Sequence, residues 1–563
     1  MTRAPASLLA SLGLCVLGGL ALSLAFPPAG LWPVAFVALT PLLWTLRAAG
    51  PARGALLGLA YGAAFFGATL SWIALFGELA WTALVLLSAA STALFGVLAT
   101  AMLRPGHPWR SAAGVAALWT AGELLRGNWP LGGFTWGTLG VSQVDDRWLL
   151  PLASVTGIAG VTFVVVAANA LLVEAAVGGG GARRSVAHLA VAVALVAAPV
   201  AIGVPTADGP QLDVATIQVD VRLAEDPSVA NEDLEVARLH VEAHAALAAD
   251  PPDVALWGEG SLDPEAPADP ATAEAVRRAI ADVGVPTIVG AVVDDADGGQ
   301  RTSVLAFDGG ARLVDRYDKV HLVPFGEYVP FRDRLGWVEA IRQIPVDRVA
   351  GDAIGVLDVP GIPPVATPIC FENSFPGLPR DAVNAGAEIL IVPVNNASYG
   401  FTAAAEQHLQ MSRARAVETG RWVVNAAISG ISAFIEPSGA VVSRTDLFAT
   451  DILRGTVRSS DARTPFVRLG DWFSWCSVVI AAGLFLAPRR QASTRPPTDP
   501  PAVRPRILVI VPTYDERATI ADVVRGVLDR DDDVSVLVVD DASPDGTAEV
   551  VGAIAATDPR VRL

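Results

Sequence analysis

The chain has 563 residues, of which 52% are hydrophobic and only 17% charged, with a formal net charge of −17 and three cysteines. Soluble domains average about 25% charged residues, so this balance excludes an ordinary soluble protein and points to a membrane chain of two or three units. Net negative charge excludes a nucleic-acid binder. Cys15, Cys370 and Cys476, widely spaced and without a CxxC or Cys/His cluster, exclude a disulfide framework and a structural zinc site.

In chain order, the first 204 residues read as a transmembrane domain of about seven helices. Apolar runs long enough to cross a bilayer, about 20 residues each, fall near 7–26, 31–46, 54–75, 80–103, 111–125, 148–177 and 185–204, and an eighth near 467–487. The first is retained, since no small-residue cleavage site follows it. Arg3, Arg47, Arg53, Arg104, Arg110, Arg183, Arg184, Arg489 and Arg490 all occupy alternate connections. With the N-terminus inside, these connections are cytoplasmic and the long 205–466 region faces outward. The 126–147 loop sets Trp129, Phe134 and Trp136 among glycines, which suits a membrane interface, either as a lipid entrance or as a plain anchor.

Between 212 and 458 the pattern changes. Strand-like runs are expected at 212–219, 254–257, 287–293, 302–307, 365–370, 389–394, 422–427 and 432–435, with helices at 231–249, 271–283 and 403–419, the last with amphipathic spacing. This alternation predicts an α/β domain whose sheets are covered by helices. Glu259, Lys319 and Cys370 recur in that order, each after an apolar strand-like run. A thiol nucleophile needs a base for its proton and a cation for the oxyanion, and these three side chains supply both.

The runs Lys319–Pro330, Ile369-Cys370-Phe371-Glu372, Phe26-Pro27-Pro28, 122–127 and 406–411 resemble the apolipoprotein N-acyltransferase family, whose outward domain has the carbon–nitrogen hydrolase (nitrilase) α-β-β-α sandwich. The resemblance implies Cys370 as nucleophile, Glu259 as general base, Lys319 as oxyanion-stabilising lysine, Glu327 as the second glutamate of the site, and Phe371 and Glu372 as the aromatic–acid pair after the cysteine. Many members have Tyr where Phe371 stands, and Trp-Pro-Glu where this chain has Trp257-Gly258-Glu259, a glycine expected to loosen the placement of Glu259. The implied reaction moves an acyl chain from a phospholipid through a Cys thioester to the α-amino group of a diacylglyceryl prolipoprotein, without metal or cofactor, at the outer face of a bacterial cell membrane. A nitrilase-type amidase and a membrane scaffold for a mannosyltransferase are the alternative readings. Seven leading spans weigh against the first, and the complete Glu–Lys–Cys set against the second.

Residues 488–505 are a proline-rich linker. From 506 to 563 a β-α-β pattern carrying Pro512, Asp515, Glu516, Asp540 and Asp541 resembles the start of family 2 glycosyltransferases, most closely polyprenol-phosphate mannose synthase, where such residues contact a nucleotide sugar. The pattern covers about one β-α-β-α unit. An incomplete fragment is therefore expected, cytoplasmic and without mannosyl transfer of its own, with a polyprenol-phosphate mannose synthase domain as a candidate partner.

Overall fold

The computed structural model describes residues 7–103, 106–177, 181–225, 229, 231–294, 299–335, 344, 346–486, 507–530 and 533–563. The linker 488–505 and Arg3, Arg104, Arg489 and Arg490 lie outside the described residues. The chain divides into two units, Met1–Leu486 and Ala487–Leu563.

The apolar runs form helices at Leu8–Ser23, Pro51–Thr69, Glu78–Met102, Pro108–Arg126, Ile158–Val177, Gly181–Ala197 and Trp472–Leu486. Among the described residues three segments, Glu78–Met102, Ile158–Val177 and Gly181–Ile202, are long and apolar enough to cross a membrane, and Leu8–Ser23, Trp32–Leu46 and Trp472–Leu486 are shorter apolar helices. Two expected spans differ from single helices. The 31–46 run breaks into Trp32–Val34, Ala35–Ala38 and Thr40–Leu46, with Pro33 and Pro41 at the starts of two pieces. Proline has no N–H to continue a helix, so it belongs in a first turn. Asn169 repairs the break: its amide donates to Ala35 O at 2.9 Å and accepts from Leu39 N at 3.1 Å. The 148–177 run becomes a continuous helix only at Ile158, after Gly157 adopts φ +66°.

Contacts between helix ends give the bundle a polarity. Arg47 pairs with Glu174, Arg53 Nη2 donates to Ser11 Oγ at 2.7 Å, and Arg110 Nη2 reaches Leu484 O at 3.5 Å. These meet at one end; Pro27 O and Thr69 O lie at the other, against Gln407 of the α/β region.

That region is built from twelve strands: β1 Gln211–Gln218, β2 Val254–Leu262, β3 Thr287–Asp294, β4 Gln300–Phe307, β5 Leu313–Asp318, β6 Val356–Leu357, β7 Val365–Ala366, β8 Ile389–Val394, β9 Val423–Ala427, β10 Ala433–Ile435, β11 Val441–Arg444 and β12 Asp451–Arg458. They make two mixed six-stranded sheets, β12-β1-β2-β3-β4-β5 and β11-β10-β9-β8-β7-β6. The central β1–β3 and β7–β9 are parallel and nearly all buried, and antiparallel strands close the edges. This burial follows the rule that parallel strands are covered on both faces. One apolar core lies between the sheets, with Leu256 and Val214 facing Leu390 and Val424. Glu232–Ala245 and Pro270–Val283 cover the first sheet through Val236 and Ile280. Gly377–Asn384 and Ala404–Thr419 cover the second through Val383 and Leu409.

The expectation of an amphipathic 403–419 helix is corrected. Ala404–Thr419 is buried on nearly every face, because the second sheet lies on one side and the membrane helices on the other. Two of its charges turn inward: Arg415 Nε meets Glu418 Oε2 at 2.9 Å, and Glu418 Oε1 accepts from Ile158 N at 2.7 Å. A carboxylate at the first residue of a helix complements the unpaired N–H groups and positive dipole end found there.

The second unit has three parallel strands, β13 Ile507–Thr513, β14 Val534–Asp540 and β15 Val561–Arg562. Helices Ile520–Leu528 and Thr547–Ala555 pack on them through Val524 and Val551.

Gly258, on β2, lies against the end of β9 in the other sheet. A Cβ there would lie 2.3 Å from Ile428 N and 2.6 Å from Ala427 C, so this glycine permits contact and does not loosen the strand. Gly258→Ala is expected to lower stability by about 1–3 kcal/mol, as overpacking does, read as a lower thermal unfolding midpoint in detergent. Gly483→Ala, whose Cβ meets nothing within 4 Å, is the unaffected control.

Candidate active site

Glu259 projects from β2, between Gly258, against β9, and Gly260 at φ +77°. Lys319 follows β5 directly. Its N–H donates to Thr302 O on β4 at 2.9 Å and its carbonyl accepts from Gly351 N at 2.8 Å, so its backbone is pinned on both sides. Its Nζ lies 3.0 Å from Glu259 Oε1 and 3.1 Å from Glu327 Oε1, and the residue is 1% exposed. Burial opposes the ammonium, but the two carboxylates outweigh it and raise the lysine above its ordinary range. Removing one partner of such a buried pair costs about 3–5 kcal/mol, because a charge is stranded.

Glu327 is held by three further contacts. Oε1 accepts from Thr302 Oγ1 at 2.9 Å and Arg348 Nη1 at 3.3 Å, and Oε2 accepts from Val323 N at 2.8 Å. Burial works against its charge, yet Lys319 and Arg348 hold its carboxyl below the usual range. Glu259 Oε2 accepts from Asn395 N at 3.1 Å.

Cys370 opens the 3-10 turn Cys370–Ser374 after β7, so the expected 365–370 strand ends early, at Ala366. Its φ is +48°, a left-handed conformation that costs a non-glycine residue about 1–3 kcal/mol and recurs at functional sites. The turn is anchored by Glu372. Oε1 accepts from Val320 N at 2.8 Å and His321 N at 3.0 Å, Oε2 accepts from Ile369 N at 2.8 Å, and Tyr317 OH bridges both oxygens at 3.0 Å. Burial pushes this carboxyl up to about 7, against Lys319 and the three N–H groups. Glu372 thereby ties the cysteine turn to the lysine loop. Glu259, Lys319 and the Asn395 N–H all act electrostatically on the Cys370 thiol. Burial first, and then the Glu259 charge, push it well above the ordinary thiol range, with Lys319 opposing.

The structure thus brings Glu259, Lys319, Cys370, Glu327 and Glu372 together and places Phe371 beside them. The Phe371 ring lies 6.4 Å from Phe134, 5.7 Å from His321 and 5.0 Å from Phe375, so the site faces the 126–147 loop. Arg126 shapes that loop, donating from Nη1 to Phe134 O at 2.7 Å and Trp136 O at 2.6 Å. Of the loop's three aromatic residues Trp129 alone is exposed, at 66%; Trp136 is internal. Thr302 and Arg348 belong to the surroundings but carried no sequence signal; Gln407 lies in the recognised 406–411 run, which does not disclose its partners. Thr302 is one of many alternating strand residues, and Arg348 sits in a loop of mixed charge.

In the second unit Asp515, Glu516, Asp540 and Asp541 share the edge at the C-terminal ends of β13 and β14. Asp515 N donates to Ser543 Oγ at 3.0 Å, Asp540 Oδ2 accepts from Ser543 N at 3.0 Å, and Asp541 N donates to Thr513 O at 3.3 Å. Pro512 pairs with Val539.

A two-sheet sandwich with a Glu, Lys and Cys converging at its strand ends defines a carbon–nitrogen hydrolase domain, and the carbon-nitrogen hydrolase family model matches residues 215–464. The model for the apolipoprotein N-acyltransferase N-terminal domain matches residues 18–171, and that for glycosyl transferase family 2 matches 508–563. Apolipoprotein N-acyltransferases from Geobacter metallireducens and Gloeobacter violaceus are each 30% identical to this chain. The first alignment covers 83% of this chain and 93% of the relative, the second 88% and 96%. Among solved structures, an amidase from Nesterenkonia sp. is 17% identical over 47% of this chain and 94% of its own, with a TM-score of 0.31, a likeness too small to bear on activity. The chain belongs to the apolipoprotein N-acyltransferase family. It is an acyltransferase of lipoprotein biosynthesis, with lipid and lipoprotein substrates.

A thiol raised by burial is protonated at neutral pH, and only the thiolate is a nucleophile. Alkylation of Cys370 by iodoacetamide, followed by peptide mass spectrometry, is therefore expected to accelerate continuously from pH 7 to beyond pH 9. A plateau reached below pH 7 would reveal a preformed thiolate.

Proposed function

We propose that the chain moves an acyl group in two steps through Cys370. Glu259 takes the thiol proton, and sulfur attacks the carbonyl carbon of a phospholipid ester. The C–S bond forms as the carbonyl electrons move to oxygen, where Lys319 Nζ and the Phe371 N–H stabilise the charge. Collapse breaks the ester C–O bond, the leaving alkoxide takes the proton from Glu259, and a lysophospholipid departs from the thioester. The α-amino group of a diacylglyceryl prolipoprotein then attacks the thioester. Its proton passes to Glu259, the C–S bond breaks, and Glu259 hands that proton to the departing sulfur, which restores the thiol and the free base beside a new amide. Glu327 keeps Lys319 charged and aimed, Glu372 fixes the cysteine turn, and the Phe371 ring borders the acyl path.

The observation that carries this reading is the buried Lys319 ammonium, 3.0 Å from one carboxylate and 3.1 Å from the other, with the Glu259 charge acting on the Cys370 thiol. The aromatic contact between Phe134 and Phe371 supports a lipid donor, since both substrates stay in the bilayer and a site at its surface limits hydrolysis of the thioester.

All eight apolar segments are proposed to cross a bacterial cell membrane, placing domain 205–466 on the outer face. The clustering of Arg47, Arg53 and Arg110 at the bundle end away from the sheets supports this orientation. The chain after Trp472–Leu486 then emerges in the cytoplasm, where the 506–563 unit would work beside a polyprenol-phosphate mannose synthase domain.

Cys370→Ala is expected to abolish triacylation, and Glu259→Gln to slow it by about 10²–10⁴-fold, the usual worth of a positioned base. Mass spectrometry of lipoprotein N-termini from cells carrying each variant as sole source decides it; triacylated lipoproteins in the Cys370→Ala strain contradict the mechanism.

A further inference from the structure

His408 takes no part in the proton transfers above, yet it touches the nucleophile's own peptide. It lies on Ala404–Thr419 and is 1% exposed. Its Nε2 is 2.9 Å from Cys370 O. A carbonyl accepts, so Nε2 carries the hydrogen, while Nδ1 is buried without a hydrogen-bond partner. Burial pushes the ring down to about 4, which leaves it neutral, with one donor aimed at one acceptor.

The residue before it is fixed just as firmly. Gln407 Oε1 accepts from Trp136 Nε1 at 2.8 Å and Trp72 Nε1 at 3.1 Å, and its Nε2 donates to Thr69 O at 3.0 Å and Pro27 O at 3.2 Å. All of the amide's partners come from the membrane-helix half of the unit. The Trp136 ring also lies 5.8 Å from the His408 ring. The imidazole is therefore held in place by the membrane bundle.

Cys370–Phe371 is an ordinary trans peptide, in which C=O and the following N–H point to opposite sides. Gripping Cys370 O thus fixes the direction of the Phe371 N–H. Among the described residues no acceptor takes that N–H, and the left-handed φ of Cys370 would not hold the peptide by itself.

We propose that His408 is a positioning residue for acyl transfer: by holding the Cys370 carbonyl against the Gln407-anchored helix, it aims the Phe371 N–H at the oxygen of the bound ester. The inference rests on acylation of Cys370, and the experiment separates the two. The full chain in detergent receives phospholipid with a fluorescent acyl chain, and single-turnover labelling of Cys370 is followed in parallel with its alkylation by iodoacetamide. Alkylation passes through no oxyanion, so a positioning role leaves it alone. For His408→Leu the labelling rate is expected to fall about 10²-fold, the worth of a misaimed oxyanion donor, with the donor KM and the alkylation rate unchanged. His408→Gln, whose amide can donate to the same carbonyl, is expected to recover most of the rate, and it serves as the test if the leucine variant does not fold. Labelling of His408→Leu at the rate of the unaltered protein overturns the inference, as does a parallel fall in labelling and alkylation. Absence of label on Cys370 in the unaltered protein overturns the acyl-enzyme reading, and this inference with it.

Discussion

The site depends on one buried ammonium shared by two carboxylates. Lys319 is enclosed, yet its backbone is pinned by Thr302 and Gly351 and its Nζ lies between Glu259 and Glu327. In a medium of low effective dielectric, none of the three could remain charged alone. Together they fix the places of a base and an oxyanion donor before any substrate arrives. Arg348 and Thr302 extend the network outward through Glu327, so Lys319 is oriented by neighbours that never approach the sulfur.

A second constraint joins the catalytic sandwich to the apolar helices. Ala404–Thr419 is covered on both sides, and two of its polar residues, Gln407 and Glu418, reach specific partners in the membrane-helix half. Glu418 meets the start of Ile158–Val177 and Gln407 collects two indoles and two carbonyls. Buried polar groups that are fully paired specify a single arrangement, since any slip strands a donor or acceptor. The nucleophile's position is thereby set from the membrane side as well as from the sheets, which suits an enzyme whose substrates are lipids and lipoproteins.

Much of this was legible in the sequence, for identifiable reasons. The interior strands β3 and β8 are runs rich in β-branched residues and stand out as such. The edge strands β11 and β12 read Val-Val-Ser-Arg and Asp-Ile-Leu-Arg-Gly-Thr-Val-Arg; half-exposed and rich in charge, they have no apolar signature and were missed. Helix Ala404–Thr419 was placed correctly along the chain but assigned a solvent face, because local spacing cannot report a second layer packed above it. Trp136 was read as interfacial for the same reason. Glu259, Lys319, Cys370, Glu327 and Glu372 were found through recognisable neighbours. Asn395 N and Thr302 act through a backbone group or a pairing distant in sequence, for which one chain gives no pattern; Gln407 lies in a recognised run, but its partners on the membrane helices are not visible from it.

The most direct test is to identify the atom that carries the acyl chain between donor and acceptor. Incubation of the full chain with a labelled phospholipid and no lipoprotein, followed by peptide mapping under conditions that preserve thioesters, should place one hydroxylamine-labile acyl group on Cys370. N-acylation that proceeds while Cys370 stays unmodified at every time point, or a label found on another residue, would contradict this account.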